Sequence, residues 1–203
     1  AQGVVIALQT FNKQGAYVKL NTRNILLDTA QLSQFNIMIL PTSMDYHDAD
    51  RKYSLTFLSD EEMTNIKNWV KKGGLLIAGD NAGRNTLENI DRINLLQKLT
   101  PDNWVLGECF GVSLKEKNIQ GYHVEGSIDE VLRGTFIAKK ELEEWVLVPD
   151  SVYSKSLKPL AYWTDGKNRM PALLQNRYGK GVAFLLPSFY LLHPANDGGY
   201  WSA

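Results

Sequence analysis

The single cysteine of the chain, Cys109, lies between two glycines in Gly107-Glu108-Cys109-Phe110-Gly111, and His193-Pro194 follows near the end of the sequence. A thiol held on a strained turn of this kind sits beside backbone N–H groups that can stabilise an oxyanion. At neutral pH it also needs a base, and His193 is a candidate to supply one. Cys109 as nucleophile and His193 as base would perform amide or ester hydrolysis. The plainer reading of Cys109 is a small buried hydrophobe, and two neighbours favour it. The segment before it, Pro101-Asp102-Asn103-Trp104-Val105-Leu106, is too short and polar to be a long central strand. The segment after it, Val112-Ser113-Leu114-Lys115-Glu116, alternates like a strand where a nucleophile turn would open a helix.

Two loops offer a different chemistry. Asp45-Tyr46-His47-Asp48-Ala49-Asp50 places three carboxylates and an imidazole close together, a mixture suited to a hard or borderline divalent cation. It lacks the glycine and distal glutamate of an EF-hand loop, and a solvated surface loop accounts for it equally, so no metal and no cofactor are assigned. Gly79-Asp80-Asn81-Ala82-Gly83-Arg84 leaves the next apolar run. Arg84 and the N–H groups of a following helix could meet an anion there, while Asn81 and Gly83 are also ordinary turn residues. Both loops follow the carboxyl ends of buried strands, where open α/β sheets bind ligands. Asp45, His47, Asp48, Asp80, Asn81 and Arg84 are therefore the ligand-binding candidates. His123 has no ligand partner at a recognisable spacing and reads as structural. Trp163 with Asp165, and Tyr200 with Trp201, are aromatic and polar combinations of the sort that stack on sugars, so carbohydrate is a candidate ligand.

Positioning these residues requires a scaffold, and the composition allows one. The chain has 203 residues, 44% hydrophobic, with 22 basic residues against 22 acidic. Folding at this length buries roughly 70% of the unfolded chain's surface, enough for a core without staples. One cysteine excludes an intramolecular disulfide and a cysteine-rich metal module. Zero net charge without a long basic run argues against a nucleic-acid partner. Apolar runs such as Ile37 to Leu40 and Ala183 to Pro187 are far shorter than the roughly 20 residues of a membrane-spanning helix.

Val4-Val5-Ile6-Ala7-Leu8, Ile37-Met38-Ile39-Leu40 and Leu75-Leu76-Ile77-Ala78 are short apolar runs rich in β-branched residues, as strands buried on both faces require. Between the second and third, Ser59 and Glu62 form a capping box. Met63, Ile66, Trp69 and Val70 recur at helical spacing, Lys71 and Lys72 complement the dipole, and Gly73 supplies the stop. The spacing predicts a helix over 59–72 in a right-handed crossover between parallel strands. Leu87, Ile90, Ile93, Leu95, Leu96 and Leu99 give a second helical pattern, and a brief helix is expected near Ile128 to Leu132. Ala172 to Arg177 and Val182 to Leu186 flank Tyr178-Gly179-Lys180-Gly181 as a hairpin whose glycines can take positive φ. Without a repeat, linker or low-complexity tract, residues 1–203 read as one domain, and the start at Ala1 and the aromatic end suggest one excised from a larger protein.

The runs Phe35 to Pro41, Leu58 to Glu62 and Trp69 to Ala78 together resemble the class I glutamine amidotransferase-like fold, and more narrowly the β-galactosidase trimerisation domains attached to glycoside hydrolases. Met170 to Leu174 and Tyr178 to Leu185 resemble their closing hairpin. The resemblance implies a flavodoxin-like three-layer sandwich, with a mostly parallel central sheet and an antiparallel C-terminal hairpin. It also implies a domain that has lost amidotransferase chemistry and serves assembly or shapes a neighbouring sugar site. Gly107 to Gly111 matches the amidotransferase Gly-x-Cys-x-Gly elbow, and His193-Pro194 the start of the His-Pro-Glu base motif, but Ala195 stands where the orienting glutamate belongs. The expectation is a non-catalytic domain acting in assembly or ligand contact, whose partners are other domains of a parent protein or further copies of itself. Phe189, Tyr190, Tyr200 and Trp201 are the interface candidates. The alternatives are the Cys109–His193 hydrolase or amidotransferase and a small-ligand sensor.

Overall fold

The computed structural model of the chain describes residues 23–40, 58–79, 100–118, 123–126 and 145–186. The expected strand at 4–8, the loop at 42–56, the loop and helical pattern over 80–99, the brief helix at 128–132 and the segment 187–203 lie outside the described residues.

A 3₁₀ turn, Arg23–Leu26, and a one-turn helix α1, Thr29–Leu32, lead into strand β1, Ile37–Leu40. Helix α2 covers Asp60–Lys72 and β2 covers Leu75–Gly79. Both halves of the expected capping box form: Ser59 Oγ accepts from the Glu62 amide at 3.1 Å, and Glu62 Oε2 accepts from the Ser59 amide at 2.6 Å. Gly73 ends α2 at φ 131°, a conformation that disfavours any side chain. The apolar stripe Met63, Ile66, Trp69 and Val70 is buried, as its spacing requires. A short helix α3, Gly107–Phe110, then precedes β3, Val112–Asn118, and β4, His123–Gly126. Strands β5, Trp145–Val152, β6, Lys158–Thr164, β7, Arg169–Tyr178, and β8, Gly181–Leu186, complete the described chain.

The main sheet has the order β1-β2-β8-β7-β6-β4, and β3 and β5 form a separate two-stranded ribbon. β1 pairs parallel with β2 and β2 with β8, whereas β8, β7, β6 and β4 pair antiparallel. The sheet is therefore mixed among the described residues, where the sequence pointed to a mostly parallel one. The closing hairpin is the reason: β8 does not hang on an edge but inserts between β2 and β7, carrying antiparallel pairing into the sheet. β1 also departs from expectation. Instead of being buried on both faces it leaves Ile37 58% exposed, because β1 ends the described strand order and pairs there with β2 alone.

Register aligns Leu76 with Ala183 and Ala183 with Asn176 in one row, and Ala78 with Leu185 and Leu185 with Leu174 in the next. The apolar members of these rows form one core with Met63, Ile66, Trp69 and Val70 of α2 and Cys109 and Phe110 of α3. Both helices thus pack on the same face of the sheet. Trp104 stacks on Phe110 in this core, ring centroids 5.2 Å apart.

Candidate functional site

The glycines around Cys109 serve packing. A Cβ on Gly107 would lie 3.1 Å from the Trp104 ring. Gly111 takes the left-handed conformation, φ 66°, and a Cβ there would fall 2.3 Å from Ser154 Cβ and 2.9 Å from Asn176 Nδ2. Turns precede the cysteine, from Trp104 N–H on Thr100 O at 2.8 Å to Cys109 N–H on Leu106 O at 2.9 Å. Strand β3 follows it, as the alternation of Val112 to Glu116 predicts. Cys109 therefore sits in a one-turn helix between turns and a strand, not on a strand-to-helix elbow.

Hydrogen bonds from β7 and from the segment after β5 fix this turn from outside. Asn176 Nδ2 donates to the Cys109 carbonyl at 2.8 Å, and Asn176 Oδ1 accepts from Ser156 Oγ at 2.7 Å. Ser156 Oγ lies 2.9 Å from Ser154 Oγ, and the Tyr153 and Ser154 amides both donate to Gly111 O, at 2.8 and 3.1 Å. The polar atoms thus hold backbone, and the Cys109 side chain is 0% exposed. Burial pushes its thiol up to about 12; the Lys67 charge opposes this and that of Glu108 adds to it. Such a sulfur stays protonated at neutral pH.

At the surface beside it, Glu108 accepts from Lys67 Nζ at 3.1 Å and from Tyr178 Oη at 2.9 Å, tying α3 to α2 and β7. The Lys67 and Tyr178 hydrogen bonds hold the Glu108 carboxyl below its ordinary range. Burial, then the carboxylate, pushes the Tyr178 phenol up to about 12.

Of the other candidates, Trp163 is 0% exposed and so offers no face to a sugar. Asp165 accepts from the Lys167 and Asn168 amides, at 2.9 and 2.6 Å, and from Asn168 Nδ2 at 2.8 Å, which shapes the β6–β7 turn. These bonds hold its carboxyl far below the usual range. His123 pairs through its backbone with Thr164. Asp45, His47, Asp48, Asp80, Asn81, Arg84, Phe189, Tyr190, His193, Tyr200 and Trp201 lie outside the described residues. Among the described residues no group of three or more histidine, cysteine or acidic side chains is placed to hold a metal ion, and no helix is long and apolar enough to cross a membrane. The Asn176–Ser156 clamp carries no sequence signal, because residues 156 and 176 meet only through pairing of distant segments.

A mixed sheet with helices packed on one face and a cysteine turn sealed into its core defines an α/β domain. Within that class, residues 17–193 match the family of the beta-galactosidase trimerisation domain, and the chain belongs to that family. Among solved structures, a ThuA-like protein from Bacteroides uniformis ATCC 8492 is 13% identical, with a TM-score of 0.54 over 92% of this chain and 74% of that one. A catalytic mutant of Gan42B, a GH42 beta-galactosidase from G. stearothermophilus, is 19% identical, with a TM-score of 0.48 over 76% of this chain and 19% of that one. The beta-galactosidase from Rahnella sp. R3 is 18% identical, with a TM-score of 0.49 over 77% of this chain and 20% of that one. The chain spans about a fifth of the length of these galactosidase chains. No curated protein matches it.

Proposed function

We propose that this chain is a non-catalytic assembly module of a larger carbohydrate-handling protein, joining copies of itself or neighbouring domains. The family match over residues 17–193 carries the reading, since a trimerisation domain is defined by assembly. The burial of Cys109 and its raised thiol speak against a nucleophile paired with His193. The finer fold we assign is a flavodoxin-like three-layer sandwich of one domain. Support comes from the sheet face turned away from α2 and α3, where Ile77 aligns with Phe184 and Leu75 with Val182, all apolar and half-buried. Residues of this kind call for a further layer. Phe189, Tyr190, Tyr200 and Trp201 remain the interface candidates toward the parent protein. The loops bearing Asp45, His47, Asp48, Asp80, Asn81 and Arg84 remain the candidates for ligand contact, carbohydrate included.

Sedimentation equilibrium of the chain, alone and joined to the rest of its parent protein, tests the reading. Concentration-dependent self-association, or a stable complex with parent domains, is the expected result. A strict monomer with no affinity for either would overturn it.

A further inference from the structure

We propose that the end of the sheet bearing the β7–β8 turn docks a different protein domain, one that presents an acidic face. This rests on the assembly reading, in its arm of neighbouring domains, and names the surface and the chemistry of the partner. By sequence the chain is neutral and its lysines are scattered. The fold brings several of them together. The Lys180 amide donates to Lys71 O at 2.9 Å, which seats the β7–β8 turn on the last turn of α2, where Lys72 follows. Arg177 precedes that turn on β7, and Ser156 Oγ donates to its carbonyl at 3.1 Å, which brings Lys155 to the same end. Lys71, Lys72, Lys155, Arg177 and Lys180 are all exposed, and none has an ion pair among the described residues. Glu108, a carboxylate tied into this end, is engaged by Lys67 and Tyr178.

The helix dipole explains lysines at 71 and 72. It does not explain cations contributed by the β7–β8 turn, by β7 and by the segment after β5. Like charges gathered in this way repel one another, and an acidic partner relieves the repulsion. The acidic run Asp45 to Asp50 and Asp80 follow the far ends of β1 and β2, whereas the cations stand where both strands begin.

This end also has an apolar element, which selects a protein over a bare polyanion. Ile37 aligns with Leu75, Leu75 with Val182 and Val182 with Arg177, in one row across β1, β2, β8 and β7. Ile37 closes one end of that row and is 58% exposed. Val152 and Tyr153, 60% and 54% exposed, adjoin the other, since the Tyr153 amide is held on Gly111 O and Ser156 on Arg177 O. Three strand spacings of ~4.8 Å set the two margins about 14 Å apart, with the cations between. Apolar side chains on two margins suit a shaped protein face, while a bilayer takes them as one inserted face. Exposed apolar groups among charges match the anatomy of protein interfaces, and charge complementarity gives the partner its sign.

The test is zero-length carbodiimide cross-linking of the chain within its whole parent protein, read by mass spectrometry, because the reagent joins a lysine amine only to a carboxylate in contact with it. Lys71, Lys72, Lys155 and Lys180 are expected to link to aspartates or glutamates outside the 203 residues of this chain. Lys167, on the β6–β7 turn at the other end of β7, is expected to give no such link. The yield should fall severalfold between ionic strengths of roughly 0.05 and 0.5 M, which change the screening length about threefold. The variant Arg177→Glu/Lys180→Glu leaves α2 untouched, and it should lose the links of Lys71, Lys72 and Lys155 by tenfold or more while its circular dichroism is unchanged. The matched reversal Lys167→Glu/Arg169→Glu should keep them. Links that run to carboxylates of the same 203 residues, or to a second copy, would overturn the proposal. So would vesicles of phosphatidylcholine and phosphatidylserine that bind the chain and release it on the Arg177→Glu/Lys180→Glu reversal. Links to parent domains from other lysines alone would overturn this surface and leave the assembly reading standing. A chain that links to no other domain or copy and sediments as a monomer would overturn both.

Discussion

The amide of Lys180 donates to the carbonyl of Lys71 at 2.9 Å, so the β7–β8 turn closes the end of the helix that precedes the neighbouring strand. The last carbonyls of a helix lack partners within it, and here a hairpin far away in sequence supplies one. Close approach follows. A Cβ on Gly181 would lie 2.0 Å from Val70 O and 2.4 Å from Gly74 O, both backbone atoms that cannot swing aside.

Gly181→Ala is therefore expected to cost about 3 kcal/mol or more, at the upper end of overpacking effects. Gly73→Ala meets open space but must hold φ 131°, a strain of about 1–3 kcal/mol. Urea midpoints should rank Gly181→Ala as the more damaging. Equal midpoints would mean that the turn and the helix end are not in contact.

Trp69 joins two elements at once. Its ring packs within reach of Gly74, whose Cβ would fall 2.5 Å from it, and its Nε1 donates to Phe35 O at 3.1 Å. Trp69→Ala should cost about 3–5 kcal/mol through lost packing. Trp69→Phe keeps most of the apolar area and orphans the Phe35 carbonyl, for about 1–3 kcal/mol. Thermal or urea unfolding of the pair separates the two contributions, and a Phe variant as stable as wild type would remove the hydrogen bond from the account.

Local signals told most of what the sequence could tell. Ser59, Glu62, the Met63 to Val70 stripe and Gly73 each act within a few residues, so the helix over 60–72 follows from them directly. The β7–β8 hairpin was equally plain from Tyr178-Gly179-Lys180-Gly181, although one glycine plays another part than expected: Gly179 takes φ 61°, while Gly181 is needed for its small size. What stayed hidden was pairing. Nothing local shows that β8 slots between β2 and β7, so the mixed sheet and the Asn176 clamp on Cys109 could not be read in advance. At Gly107 to Gly111 the motif's spacing suggested an elbow, and the strand-like Val112 to Glu116 rightly argued against one.

Asn176 is the test of that clamp. Replacing it by leucine removes both a donor to Cys109 O and an acceptor for Ser156 Oγ from a buried site. Ser156 Oγ keeps Ser154 and the Arg177 backbone as partners, so the cost is that of one orphaned group, the Cys109 carbonyl, at about 1–3 kcal/mol. Hydrogen exchange should show the loss at residues 107–111 and 153–156 first. A variant with unchanged protection there would mean that packing alone holds the cysteine turn.

The thiol itself makes a prediction with a definite sign. Burial raises the folded Cys109 to about 12, whereas an unfolded thiol titrates near 8.5. Below the unfolded value both states keep the proton and stability is insensitive to it. Above it the unfolded chain releases a proton that the folded chain retains, so stability falls by roughly 1 kcal/mol for each pH unit toward the folded value. Tyr178, also raised to about 12, acts in the same direction only above its ordinary value of about 10. Cys109→Ala deletes the part that begins near pH 8.5 and leaves the tyrosine's. Urea unfolding of the two proteins should therefore differ by a constant up to about pH 8 and then converge between pH 9 and 10, where the wild type alone loses stability. Iodoacetamide should label the native thiol slowly near neutral pH, at a rate set by opening of the fold. Rapid labelling together with parallel stability profiles would show an accessible, ordinary thiol and would return Cys109 to consideration as a nucleophile.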